Sequence, residues 1–343
     1  MLAADGAFLP DGRLVALPAA PEAFLGEGFR CKVLWWFLFA PLFGIKFVQI
    51  KPRPANMAQY YMAFTTLVAV DALKTHLNDP QWIIFDCRFR LADPQAGLRA
   101  YQAGHIPGAR YADLERDLCR AKTVTTGRHP LPKPPLLADK LGQWGVDVSK
   151  QVVVYDDNTS AIAARMWWLL RWLGHAAVAV LDGGLAAWKE QGGLLETTTP
   201  HPIATRFVAR PNESMWVRTR YLEERLRRHE DLLLDARAPE RFRGEQEPLD
   251  PVAGHIPGAV NRPLERNLDA SGKFLPASVL RAAFSDLTET KSPMEVIHTC
   301  GSGVTACHNL LAMEIAGLSG SRLYPGSWSE WIRDPKHPVA TGS

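Results

Sequence analysis

The sequence predicts an α/β fold made of two tandem domains, each a small parallel sheet flanked by helices. Three observations lead to this prediction: the length of 343 residues, a set of motifs that occurs twice in the same order, and an alternation of apolar runs with helical patterns. Because domains usually contain roughly 100–200 residues, a chain of this length is expected to form two.

Four landmarks recur along the chain in the same order. The segment Gly104–Ala109 reads Gly-His-Ile-Pro-Gly-Ala and returns as Gly254–Ala259, 150 residues later. An apolar run containing Asp86 precedes the first copy, and a matching run ending at Asp235 precedes the second. The other two landmarks are the apolar runs 152–156 and 296–300 and the segments 181–188 and 323–331. Since chance does not preserve the order of four landmarks, the domain is duplicated.

Each copy alternates strand patterns with helical patterns. In the stretch 161–173, apolar residues at spacings of three and four form one helical face. Alternation of this helix type with runs of Val, Ile and Leu favours a parallel sheet covered on both sides. The stretch 196–211 is rich in Thr and Pro and lacks periodicity. We therefore predict a first domain over 61–199, a linker over 200–212 and a second domain over 213–343.

Composition excludes several classes of protein. A net charge of +3 without a basic stripe argues against a nucleic-acid partner. The 10 His are scattered, so no metal site is predicted, and no cofactor is expected. The 5 Cys are an odd number without a disulfide-framework spacing, which indicates a reducing compartment and hence a cytoplasmic location.

Residues 1–60 are predicted to be an extension of uncertain order. They contain Val33–Ile45, 13 uncharged residues interrupted by Pro41. A membrane span needs about 20 apolar residues, and a signal peptide would place its apolar core nearer the start. Membrane attachment is therefore not the favoured interpretation.

The two copies differ most where the third landmark ends. The first copy continues with Asp156 and Asp157, whereas the second continues with Cys300–Thr305 and then a helical stretch. Glycine on both sides of Ser302 lets successive backbone N–H groups converge on the sulfur, and the following helix presents its positive end. Both effects favour the thiolate, which is the nucleophilic form. We interpret Cys300 as catalytic, 213–343 as the catalytic domain and 61–199 as non-catalytic.

The paired His-Ile-Pro-Gly-Ala segments and the loop Cys300–Thr305 resemble tandem rhodanese-type sulfurtransferases. The resemblance extends from Phe64 to the C-terminus. It implies two rhodanese folds, an active site at the domain interface, and a persulfide on Cys300 that carries sulfur from a small-molecule donor to an acceptor. The loop residues around the substrate would be Gly301, Gly303, Val304 and Thr305.

The loop also distinguishes subfamilies. Thiosulfate-preferring members place Arg and Lys after the cysteine, whereas this chain has Gly301 and Ser302, as in members that use 3-mercaptopyruvate. In those members the serine is proposed to act with a His and an Asp of the first domain, and the matching positions are His105 and Asp93. His255 occupies the same motif in the second copy, so a structural role for His105 stays open.

Arg165 matches a substrate-binding arginine of the family. Its planar guanidinium suits the donor's carboxylate, because it can bind both oxygens.

Alternatives remain open at this point. Thiosulfate is the competing donor, and a sulfur-binding or redox-sensing module without turnover is the competing non-enzyme class. A phosphatase of the Cys-x5-Arg type is excluded because position 306 is Ala. The acceptor is cyanide, a small thiol or a reduced thioredoxin-like protein.

Overall fold

The computed structural model describes residues 6–8, 14–16, 63–157, 159–228 and 230–343, and it divides the chain into two units, Met1–Tyr61 and Met62–Ser343. In the first unit, β1 (Gly6–Phe8) pairs antiparallel with β2 (Leu14–Ala16). The apolar run Val33–Ile45 lies outside the described residues. Within the described ranges, no helix is long and apolar enough to cross a membrane.

The second unit begins with a lobe built on a five-stranded parallel sheet, in the order β3-β7-β6-β4-β5. Its strands are β3 (Leu67–Val68), β4 (Trp82–Asp86), β5 (Arg110–Tyr111), β6 (Gln151–Tyr155) and β7 (Val178–Leu181). Its helices are α1 (Val70–Thr75), α2 (Ala96–Ala103), α3 (Pro134–Gln143), α4 (Ala161–Trp172) and α5 (Gly184–Glu190).

The second lobe repeats this plan with a four-stranded parallel sheet, in the order β11-β10-β8-β9. Its strands are β8 (Leu232–Asp235), β9 (Ala259–Asn261), β10 (Val296–Thr299) and β11 (Arg322–Leu323). Its helices are α6 (Thr219–Arg227), α7 (Pro239–Arg243), α8 (Ala277–Thr288), α9 (Ala306–Ile315) and α10 (Ser327–Trp331). Three short 3-10 helices cover Glu213–Met215, Leu264–Asn267 and Pro293–Glu295. Residues 197–212, between the lobes, carry no helix or strand.

The predicted fold class is confirmed, and the sheet core explains it. All five residues of β6 are buried; Val152 and Val154 face one core cluster, while Val153 and Tyr155 face another. A strand buried on both faces is expected to be apolar throughout, as in a parallel sheet covered by helices.

The duplication extends to single hydrogen bonds. After β4, Arg88 binds Asp86 and donates to the carbonyl of Gly104 at 2.7 Å. After β8, Arg237 binds Asp235 and donates to the carbonyl of Gly254 at 2.8 Å. Each pair ties the start of a His-Ile-Pro-Gly segment to its sheet.

The lobes meet through α4 and α9, the helices that follow β6 and β10. One apolar cluster runs through this contact and includes Met166, Leu170, Leu311 and Met313. Because both helices begin at the carboxyl ends of their strands, the loops that precede them lie near the interface of the two lobes.

Candidate active site

Cys300 follows β10 directly and lies in a loop that is held from the opposite side by the start of α10. Its N–H donates to Oγ of Ser327 at 3.1 Å, and its carbonyl accepts the N–H of Trp328 at 2.9 Å. The carbonyl of Gly301 accepts the N–H of Ser329 at 2.9 Å. The loop is thereby fixed at two consecutive residues, with Cys300 only 1% exposed.

The sulfur accepts a backbone hydrogen bond from the turn 300–303, and we call this turn the cradle. The N–H of Gly303 donates to Sγ of Cys300 at 3.1 Å. Gly303 has a φ of +76°, and a Cβ there would lie 2.4 Å from the carbonyl oxygen of Pro325. Glycine is therefore required for the curl that turns this N–H toward the sulfur, and the donated hydrogen bond stabilises negative charge on it.

The first lobe contributes a histidine to this loop. Nδ1 of His129 lies 2.7 Å from Oγ of Ser302. Burial, reinforced by the charges of Arg128 and Arg165, lowers the pKa of His129 to about 3. The imidazole is therefore neutral at pH 7 and shares a hydrogen bond with the Ser302 hydroxyl.

The predicted pairing of Ser302 with His105 is corrected by this geometry. Nδ1 of His105 lies 2.8 Å from the carbonyl of Tyr101, and Nε2 lies 3.2 Å from the carbonyl of Thr198. His255 makes the corresponding contact to the carbonyl of Phe242, also at 2.8 Å. Both histidines stack on an aromatic ring, so the shared motif supports the chain around each Pro-Gly turn.

Asp93 is placed away from this dyad. Its carboxylate pairs with Arg99 on the surface and accepts the N–H of Gln95 at 3.2 Å. The Arg99 guanidinium holds the pKa of Asp93 below its usual range. The hydrogen bonds of His105 go to other residues, so the expected Asp93–His105–Ser302 chain is not formed.

Arg165 lies beneath the loop and has no exposed surface. One Nη donates to the carbonyl of Gly303 at 3.0 Å, and the other donates to the carbonyl of His129 at 3.4 Å. It thus connects the loop to the segment that carries the histidine. A carboxylate-binding role for Arg165 stays a prediction, whereas its visible contacts position the site.

Two other guanidinium groups lie above Gly301. A Cβ on Gly301 would be 3.1 Å from Nη2 of Arg128 and 3.6 Å from both Nη atoms of Arg241. Arg128 is paired with Asp250, and Arg241 donates to Glu247 at 2.7 Å. The loop itself carries no cationic side chain, but arginines from both lobes supply positive charge at its surface.

The remaining predicted loop residues complete the turn into α9. Val304 is buried, and Thr305 is the residue immediately before Ala306, where the helix begins. Burial raises the pKa of Cys307 to about 12 and that of Cys119 to about 11, so both stay as thiols at neutral pH. The cysteine at the strand end is therefore distinguished from these two by its cradle.

Sequence reasoning missed His129, Arg128 and Arg241. The available signal was an Arg-His pair in a Thr- and Gly-rich segment without periodicity, since functional residues often lie in such loops. Nothing in the sequence places that segment beside Ser302, which is 173 positions away.

Comparison with known proteins identifies the family. Residues 69–191 and 219–334 each match the rhodanese-like domain model. The chain is 50% identical to "Probable 3-mercaptopyruvate sulfurtransferase" of Pseudomonas aeruginosa, over 82% of this chain and 100% of that protein. It is 33% identical to the thiosulfate sulfurtransferase of Rattus norvegicus, over 82% of this chain and 96% of that protein.

Solved structures give the same result. The 3-mercaptopyruvate sulfurtransferase from Leishmania major superimposes with a TM-score of 0.70 and 29% identity, over 79% of this chain and 76% of that one. The resemblance inferred from the paired motifs is thereby confirmed, and the chain belongs to the rhodanese family as a tandem-domain sulfurtransferase.

Proposed function

We propose that this sulfurtransferase takes its sulfur from 3-mercaptopyruvate and carries it as a persulfide on Cys300. The observation that supports this donor is the 2.7 Å contact between Ser302 and His129. A donor whose leaving group must gain a proton benefits from a hydroxyl backed by a neutral imidazole. Thiosulfate releases sulfite as its leaving group, and sulfite does not need to gain a proton.

The first half-reaction balances with these residues alone. The Cys300 thiolate attacks the donor's sulfur; the Sγ–S bond forms, the S–C bond breaks, and the electron pair goes to carbon as pyruvate enolate. The donor's own S–H proton passes through the Ser302 hydroxyl, which the hydrogen bond to His129 holds in place, to that carbon. The products are pyruvate and a deprotonated persulfide on Cys300.

Recognition of the donor's carboxylate is assigned to Arg241 and Arg128, because both present nitrogen atoms near Gly301. Arg165 is proposed to position the loop through Gly303. Gly301, Gly303, Val304 and Thr305 form the turn against which the donor lies. Arg and Lys are not interchangeable here, since two parallel hydrogen bonds to a carboxylate need the planar guanidinium.

In the second half-reaction, cyanide or a thiolate attacks the outer sulfur and restores the Cys300 thiolate. A reduced thioredoxin-like protein is included among the acceptors, because its thiolate carries out the same displacement. We place the reaction in the cytoplasm, where a free catalytic thiol persists. The four described cysteines are all free, which supports this choice.

Thiosulfate is the second candidate donor, and one observation favours it. Two arginines lie over the loop, so an anionic donor meets positive charge even though Gly301 and Ser302 are uncharged. The similarity to a thiosulfate sulfurtransferase of Rattus norvegicus points the same way.

The deciding experiment is a single-turnover measurement of persulfide formation on Cys300 with each donor. The gain of one sulfur atom is followed by mass spectrometry of the intact chain. Faster labelling by 3-mercaptopyruvate, together with a loss of that advantage in Ser302→Ala, is expected. Faster labelling by thiosulfate in the wild type would contradict the proposed donor.

A further inference from the structure

The positive charge above Gly301 is matched by carboxylates that the sulfur chemistry does not use. Asp250 accepts from Arg128, and its second oxygen lies 3.4 Å from Nη2 of Arg241. Glu247 accepts from Arg241 at 2.7 Å and 3.3 Å. Glu247 also lies 3.5 Å from Arg237, which is paired with Asp235, so three arginines and three carboxylates form a cluster with no net charge.

This cluster crosses the boundary between the lobes. Arg128 belongs to the first lobe and is fixed by its own N–H, which donates to Oγ of Ser329 at 2.9 Å. Asp250 belongs to the second lobe, and its side chain is 4% exposed. Among the described residues, the buried Nε of Arg128 has no hydrogen-bond partner.

Arg128 also occupies the space that a side chain at position 301 would need. A Cβ on Gly301 would lie 3.1 Å from its Nη2, closer than such contacts usually are. The first lobe thus places the cation Arg128 above a loop that carries no cationic side chain. The second lobe balances the charge of Arg128 with Asp250.

We infer that Asp250 determines which donor charge this site accepts. The negative charge of Asp250 offsets the positive charge of Arg128. The balanced cluster therefore suits a donor with one negative charge, whose carboxylate takes the place of the Asp250 carboxylate on the guanidinium of Arg128. A donor with two negative charges suffers twice the repulsion from Asp250, because Coulomb energy scales with the product of the charges. Asp250 therefore acts against thiosulfate, as an unfavourable contact that creates specificity.

This inference rests on the proposed function, in that Cys300 receives sulfur from an anionic donor beside Arg128. It goes beyond that proposal by naming the residue that separates singly from doubly charged donors. The substitution that tests it is Asp250→Asn, which keeps an oxygen for Arg128 and removes the charge.

The measured quantity is the ratio of kcat/KM for 3-mercaptopyruvate to kcat/KM for thiosulfate. Asp250→Asn should lower this ratio by about tenfold, through a larger gain for thiosulfate. Arg128→Gln should raise it, because the dianion loses more attraction than the monoanion does. The matched control is Glu245→Gln, which removes one charge from the same segment at a 53% exposed carboxylate paired with Arg243.

The inference is overturned if Asp250→Asn changes the ratio no more than Glu245→Gln does. If Asp250→Asn does not fold, Arg128→Gln decides alone, and an unchanged or lowered ratio overturns the inference.

Inhibition measurements test the role of Asp250 independently of which donor the enzyme uses. Competitive inhibition constants for sulfate and pyruvate report the charge preference without turnover of 3-mercaptopyruvate. A wild type that fails to use 3-mercaptopyruvate would refute the proposed donor, while a shift toward sulfate in Asp250→Asn would still support the role of Asp250.

Discussion

The loops that follow β6 and β10 occupy equivalent places in the two lobes and carry different side chains where each strand ends. After β6, the carboxylate of Asp156 accepts N–H groups from Ser160 and Ile162 at 3.0 Å and from Ala163 at 3.1 Å. After β10, Sγ of Cys300 accepts the N–H of Gly303 at 3.1 Å. Both loops lead into a helix whose N-terminus favours negative charge.

The difference shows that equivalent turns in the two copies of a duplicated domain can take different roles. In the first lobe the Asp156 carboxylate fills the equivalent turn and accepts N–H groups from the start of α4. This arrangement stabilises the fold. In the second lobe Cys300, the proposed nucleophile, takes that place. The first lobe then acts on the second through side chains from elsewhere, since His129 reaches Ser302 and Arg165 supports Gly303.

The comparison is tested most strongly by removing the nucleophile. Cys300→Ser should lower sulfur transfer by about 10³-fold or more, because loss of a covalent nucleophile removes the reaction path. Steady-state assays with both donors measure this. Cys119→Ser is the control, since that thiol lies outside the cradle, and retained turnover in Cys300→Ser would place the chemistry elsewhere.

The next largest expected effect distinguishes His129 from His105, which both belong to the first lobe. His129→Asn and Ser302→Ala are each expected to lower kcat with 3-mercaptopyruvate by about 10²-fold, as for the loss of a positioned proton-transfer group. His105→Asn should instead lower the melting temperature, because the ring lies between the carbonyls of Tyr101 and Thr198 and stacks on the Tyr101 ring. An equal loss of kcat in His105→Asn at unchanged stability would restore His105 to the site.

The Asp156 carboxylate, which accepts the N–H groups of the turn after β6, should matter more for folding than for catalysis. Asp156→Asn replaces a carboxylate oxygen that accepts backbone N–H groups with an amide group at the same place. We expect a loss of about 2 kcal/mol in the free energy of unfolding, measured by urea denaturation. Asp286→Asn, on an exposed face of α8, should change it little. An unaltered stability in Asp156→Asn would mean that the carboxylate does not hold the loop.

The smallest expected effect concerns pH. β10 carries His298 where β6 carries Val154, and burial lowers the pKa of His298 to about 3. The folded histidine stays neutral while the unfolded one gains a proton as pH falls through about 6.5, so this residue's contribution to stability is present above that pH and is lost below it.

His298→Val should therefore reduce the drop in unfolding free energy between pH 7 and pH 5.5 by about 1 kcal/mol. Denaturation at the two pH values measures this, with His201→Val as an exposed control. A drop of the same size in both variants would show that other groups cause the acid sensitivity.

The duplication and the fold class follow from the sequence alone. Local patterns suffice there, because strands buried on both faces must be apolar and the Gly108 and Gly258 turns recur with positive φ. The sequence also indicated Cys300 as the candidate nucleophile, which stays a prediction, because the turn around it is built from neighbours in the chain, among them Gly303.

Which side chains of the first lobe lie beside the Cys300 loop depends on the packing of the two lobes. His105 lies in a motif that stands out in the sequence, yet its nitrogen atoms are occupied by Tyr101 and Thr198. His129 lies in a segment without pattern and reaches Ser302 because the lobes pack through α4 and α9. Contacts between distant segments are set by how whole elements pack, and local periodicity carries no information about them.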